Sequence, residues 1–90
     1  MNFRKKEGLE EILLGDGEGT VFFDSDTGNT HVLDEVASDI FACFNTEGNV
    51  DEVIRMLADM YGEEPVNIEA DVREFIDKLV RLGLLISEEE

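Results

Sequence analysis

Ninety residues with 42% hydrophobic content are enough for one domain around one modest core. Twenty-three acidic against seven basic residues leave a net charge of −16, which disfavours nucleic acid and anionic membrane surfaces as partners, since both draw affinity from Lys and Arg. Cys43 is the only cysteine, so no intrachain disulfide forms, and no apolar run has the length of a signal peptide or membrane span; the expected compartment is the reducing cytoplasm.

The chain reads as a single domain over residues 1–90, with residues 1–8 and 87–90 expected to be flexible. Leu9–Leu14 (LEEILL) is the first structured candidate, too short for a helix to be assigned, and reads as a strand. The glycine-rich stretch Gly15–Gly19 lacks the spacing and the lysine of a phosphate-binding loop and reads as a hairpin connection. Thr20–Asp24, rich in β-branched and aromatic residues, is the next strand. Asp24–Asn29 is dense in turn formers. Its alternating oxygens resemble the start of a calcium loop, but the downstream bidentate glutamate is missing, so a turn is expected and no metal. Thr30–Leu33 returns as the second strand of a hairpin. His31 is the only histidine and has no nucleophile or second ligand at a useful spacing, so neither a catalytic nor a metal role is assigned.

Three helices follow. Asp34 is placed to cap the first, over about Asp34–Asn45, with Val36, Ala37, Ile40, Phe41 and Phe44 as its buried stripe. Asn49 and Glu52 make a capping-box-like start to the second, which buries Val50, Val53, Ile54, Leu57 and Tyr61 and stops at Gly62. Pro65 reads as an extended approach and Asn67 as the cap of the third helix. In that helix Val72, Phe75, Ile76 and Leu79 form one tight face. Val80 lies off one edge of it, beside Arg73, and Leu82 off the other. The apolar arc is wider than one core contact needs, as in a helix packed between two layers or one with an edge left to bind something. Gly83 is the stop, and Leu84–Ile86 folds back over the core. Strands first and three helices after give an α+β fold, with a winged helix-turn-helix arrangement expected. Such folds serve DNA readers and protein-binding modules alike.

Several pieces, in this order, resemble PqqD-like proteins: Thr20–Asp24, Thr27-Gly28, Val32-Leu33-Asp34, Ala37 and Ile40, then Val50–Ile54, then Asp71-Val72, Phe75-Ile76, Leu79 and Gly83–Ile86. The resemblance covers about Leu9–Ile86. One departure is Asp34, where the family more often has asparagine; both residues can cap a helix. The −16 charge is the other. The resemblance implies a RiPP recognition element: a non-enzymatic chaperone without a cofactor. It binds the leader segment of a ribosomally made precursor peptide and presents it to a modifying enzyme. That enzyme is a radical S-adenosylmethionine protein in pyrroloquinoline quinone synthesis, or another maturase in a related pathway. The implied mechanism is addition of the leader as a strand to the hairpin edge Asn29, Thr30, His31, Val32 and Leu33, against a wall carrying Arg73, Ile76 and Val80. The opposite edge of that helix is marked by Phe75 and Leu82. On this reading Ile76→Asp or Val80→Asp removes leader binding and spares the fold, and the His31 side chain matters less than its backbone. An open strand edge also permits a homodimer, which the negative charge opposes. The alternative function is an acidic adaptor or regulator docking on another protein. DNA binding fits less well, because Asp51, Glu52 and Asp59 make the second helix acidic.

Overall fold

In the computed structural model, which describes residues 2–14 and 19–88, two small antiparallel sheets flank three helices. The elements run β1 (Phe3–Lys5), β2 (Leu9–Leu13), β3 (Thr20–Asp24), β4 (Asn29–Leu33), α1 (Glu35–Cys43), α2 (Val50–Tyr61), α3 (Pro65–Arg81) and β5 (Leu85–Ser87). This is the expected α+β order, compatible with a winged helix-turn-helix. Gly15–Glu18, most of the glycine-rich connection, lie outside the described residues.

The larger sheet has the order β2-β3-β4. Strand β3 alternates buried and half-buried residues, as expected of a strand with one face on a core. Phe22 on that inner face meets Phe41 of α1 edge-on, with ring centroids 4.8 Å apart. Leu33, the last residue of β4, lies on the same face and is buried. The core is closed by Ile40 and Phe41 from α1, Val53 and Leu57 from α2, Leu79 from α3, and Leu84 and Leu85.

Helix ends follow local chemistry in two cases of three. Asp34 accepts the Ala37 N–H at 2.8 Å, and Asn49 accepts the Glu52 N–H at 3.2 Å. Each satisfies a donor that has no partner inside its helix. The expected cap of α3 is corrected. Glu64 is the capping residue, without a side-chain bond, and Pro65 is the first helical residue rather than part of an extended approach. Proline's fixed φ suits that position, and its missing N–H is one the helix leaves unpaired anyway. Asn67 therefore lies inside the first turn. Gly62 and Gly83 end α2 and α3 with φ of 67° and 80°, the left-handed conformation that lets following N–H groups turn back onto the helix. Leu84 N–H accordingly reaches Leu79 O at 3.0 Å and directs β5 under the core.

Both ends of the described residues are tied into the fold by backbone hydrogen bonds. β1 pairs with β5, from Phe3 opposite Ser87 to Lys5 opposite Leu85. Phe3 is buried and its ring meets Phe44 at 6.5 Å. Phe3 N–H donates to Gly48 O, and Glu88 N–H to Asn2 O. Two three-residue strands at opposite ends of the chain leave no periodic pattern to detect. Two helical side chains are also corrected. Val36 and Tyr61, assigned to buried stripes, are 46% and 44% exposed. The Tyr61 hydroxyl is anchored instead as a donor to Asp39 at 2.5 Å. Burial and that carboxylate push its pKa up.

The segment between β1 and the hairpin is pinned by charge. Lys6 Nζ meets Asp24 at 2.5 Å, and the Asp24 side chain is nearly buried. The Asp24 carboxylate also accepts the Asp26 N–H at 3.0 Å. The acidic turn is thus organised by a lysine from the chain itself. The hydrogen bond from Lys6 holds the Asp24 carboxyl below its ordinary value of 3.8. A depressed carboxyl pKa adds stability above the unfolded-state value, and that contribution is lost as pH falls through the folded value. Denaturant midpoints between pH 7 and about pH 2 are expected to show an acid-side loss in the native chain that Asp24→Asn lacks. Parallel pH curves for the two chains would contradict this.

Gly19 holds a second local constraint. Its φ is 95°, and a Cβ there would lie 1.9 Å from the Leu33 carbonyl oxygen. Only glycine lets the start of β3 pass this close to the junction of β4 with α1. Gly19→Ala is expected to lower stability by about 1–3 kcal/mol, measured by urea denaturation.

Candidate functional site

Strand β4 is the outermost strand of its sheet, and no described strand pairs with its far edge. In an antiparallel pair, every other residue turns its N–H and C=O away from the partner. Along Asn29–Leu33 these groups point to the open side. Asn29, Thr30 and Val32 are exposed there, His31 is half-buried and Leu33 is buried. A free edge of this kind is a template for another extended chain.

The open side of β4 faces a cleft of about 240 Å³ lined by Val32, Leu33, Asp34, Ala37, Phe75, Lys78 and Leu79. α3 supplies the opposing wall, and the first turn of α1 closes one end. Phe75 is half-buried: it packs on the core with one side and lines the cleft with the other. It also lines an apolar hollow of about 170 Å³ with Val36, Ile40, Leu57, Tyr61, Ile68 and Val72. A longer groove of about 550 Å³ continues over α3 past Asp71, Glu74, Asp77, Lys78 and Arg81.

The hollow beside β4 is lined by Val32 and Leu33 but by none of Arg73, Ile76 and Val80. Arg73 ties α3 to α2, with its guanidinium 2.9 Å from both Asp51 and Glu69, which raises its already high pKa. Ile76 is 3% exposed and sits among Phe3, Val50, Arg73 and Asp77, on the side of α3 that faces β1 and the start of α2. Val80 is half-buried against the core and lines none of these hollows. The arrangement follows from the helical angle. At about 100° per residue, Phe75, Lys78 and Leu82 cluster on one edge of the apolar arc, and Arg73 and Val80 on the other. Both edges were visible in the periodicity. Only the position of β4 distinguishes them, and the Phe75 edge is the one that borders the hollow beside it. Lys78 is legible in the sequence only as one of three basic residues on this helix, with Arg73 and Arg81.

The surroundings are sorted by charge. Asp34 lines the cleft, but its carboxylate is engaged at the start of α1. Lys5 lies 4.3 Å from the centroid of Phe41 and 5.9 Å from that of Phe22, and desolvation pulls its pKa down. Such a cation over aromatic faces is a packing element. Among the described residues no group of His, Cys, Asp and Glu could hold a metal ion.

The family profile for coenzyme PQQ synthesis protein D (PqqD) matches residues 19–85. The chain belongs to the PqqD family. The matched residues take in β3, β4, all three helices and Leu85, and so include both walls of the cleft. Curated protein sequences give no significant match. Among solved structures, TbiB1 in complex with the TbiA(beta) leader peptide superposes with a TM-score of 0.77. It is 20% identical over 97% of this chain and 99% of that one. A lasso peptide synthetase B1 complexed with its leader peptide gives 0.74 and 20% identity, over 97% of this chain and all of the other. The solution structure of the PqqD truncation of Methylobacterium extorquens PqqCD, a stand-alone RiPP recognition element, gives 0.74 and 20% identity over 96% and 89%. At this identity the likeness establishes a shared fold. Within the PqqD family, this chain presents an open strand edge beside a partly apolar helix wall.

Proposed function

We propose that this PqqD-family chain is a non-enzymatic recognition module for the leader segment of a ribosomally made precursor peptide. The leader joins β4 along Asn29, Thr30, His31, Val32 and Leu33 as a further strand. It lies against the α3 wall of Phe75, Lys78 and Leu79, rather than the Arg73, Ile76 and Val80 side. The observation that carries this reading is the pairing of an unpartnered strand edge with an apolar cleft, two elements that serve different parts of the same ligand. Main-chain hydrogen bonds to β4 supply affinity largely independent of sequence, and the cleft supplies selection among side chains. Two structures of the same fold hold leader peptides, which supports this use of the chain.

The module then presents the leader to a modifying enzyme, either a radical S-adenosylmethionine protein or another peptide maturase, in the cytoplasm. No described helix is long and apolar enough to cross a membrane. A homodimer paired through β4 would occupy the same edge and compete with the leader.

The test is an amide NMR titration of labelled protein with synthetic leader segments of precursor peptides, the TbiA(beta) leader among them, with duplex DNA as control. Saturable shifts along Asn29–Leu33 and around Phe75–Leu79, absent with DNA, are expected. Shifts confined to the Arg73 and Val80 side would refute the assigned wall. A response to DNA alone would refute peptide recognition.

A further inference from the structure

Most cations of this acidic chain are already answered by a neighbour. Lys6 is paired with Asp24, Arg55 with Glu52, and Arg73 with Asp51 and Glu69, while Lys5 rests on Phe41. Among the described residues Arg4, Lys78 and Arg81 take part in no ion pair or hydrogen bond of their side chains. Lys78 and Arg81 both line the groove along α3, and Lys78 also lines the cleft beside β4.

Sequence spacing does not force this. Glu74 precedes Lys78 by four residues and Asp77 precedes Arg81 by four, the arrangement that favours ion pairs on a helix. At the same spacing on the same helix, Glu69 and Arg73 close to 2.9 Å. The two later pairs stay open. Asp34, the other charged residue of the cleft, is occupied by the Ala37 N–H. Lys78 is therefore the charge in the cleft with no engaged partner among the described residues.

We propose that the bound segment carries an acidic side chain next to its apolar anchor. The anchor enters the cleft between Leu33, Ala37, Phe75 and Leu79. The carboxylate meets Lys78, with Arg81 about one helical turn further along. The proposal rests on the strand-addition reading above and deepens it by naming the ligand's chemistry. Alternate residues of an extended strand share a face and lie about 6.6 Å apart, so the anchor and the acid are two residues apart in the ligand. The net charge of −16 does not prevent this contact. The field of distant acids is screened beyond about 8 Å at physiological salt, whereas a touching pair is screened far less.

The experiment is calorimetric titration of a synthetic precursor leader that binds this chain, alongside versions in which each Asp or Glu is changed singly to Asn or Gln. One such change is expected to weaken binding about fivefold, as for a partly covered ion pair. Lys78→Gln is expected to lose the same factor, with little further loss when the two changes are combined. Lys78→Glu should regain affinity for a leader whose acid is changed to Lys. The exposed Lys78 position should leave the circular dichroism spectrum of each variant unchanged. The idea is overturned if every amide version binds within about twofold of the parent while the leader still shifts Asn29–Leu33 in the NMR titration; strand addition then stands without it. A leader that binds without shifting Asn29–Leu33 removes the strand-addition reading, and this proposal with it.

Discussion

Ile76→Asp is expected to unfold this protein rather than blunt its binding site. Ile76 is 3% exposed and packs among Phe3, Val50 and the core side of α3. An aspartate there either stays charged without a partner or takes up a proton to avoid the charge, and it also leaves apolar volume unfilled. Burying an uncompensated charge costs about 3–5 kcal/mol, and losing the packing of an isoleucine adds about 2 kcal/mol or more. A native domain has only about 5–15 kcal/mol in total, and ninety residues place this one toward the lower end. Circular dichroism at 25 °C should therefore show loss of helix before any leader is added. A folded Ile76→Asp protein that fails only to bind would restore Ile76 to the groove and overturn the assignment of the Phe75 edge.

Phe75→Ala is expected to do the opposite: leave the fold and remove most of the binding. Phe75 is half-buried, so truncation costs about 1–2 kcal/mol, below the 3–5 kcal/mol of a fully buried phenylalanine. The same ring borders the β4 cleft, the α3 groove and the apolar hollow behind it. Aromatic anchors at the centre of an interface are where truncation costs most, about 2 kcal/mol or more, or roughly thirtyfold in affinity. Leader affinity measured by titration should fall by at least about tenfold, with the amide spectrum of the free protein retained. Unchanged affinity would mean that the ligand is held by β4 alone, and that the α3 wall is scaffold.

The contrast between these substitutions separates what one helix does on its two edges. Ile76 and Phe75 are neighbours in sequence and both belong to the apolar arc of α3. One is sealed by β1 and α2, and the other is left at the border of a cleft. The local pattern sets them toward opposite edges of that arc but does not say which edge is covered, because periodicity reports which residues avoid water and is silent on which element covers them. The width of the arc did carry information. An arc too wide for a single contact is what a helix needs when it supports a core and also forms a wall.

The Lys6–Asp24 pair shows the same division at the hairpin. The density of turn formers in Asp24–Asn29 was enough to read a turn. That Asp24 is nearly buried and neutralised by a lysine eighteen residues earlier is a tertiary fact. It holds the turn in place at the start of β4, and the acid-side loss of stability expected of Asp24 tests how much that clasp contributes.

By itself the sequence determined the order of elements. β-Branched and aromatic residues mark β3, helical spacing marks α1 to α3, and Asp34, Asn49, Gly62 and Gly83 mark their ends through short-range hydrogen bonds and backbone freedom. It also carried enough ordered pattern to place the chain with its family. Tertiary structure alone decided that β1 and β5 pair and that β4 is left at a sheet edge. It also decided that the Phe75 edge of α3, with Lys78, faces that strand while Arg73, Ile76 and Val80 turn to the other side. Those outcomes depend on contacts between residues tens of positions apart. Capping and periodicity act over one or two turns, and they end where the choice of neighbour begins.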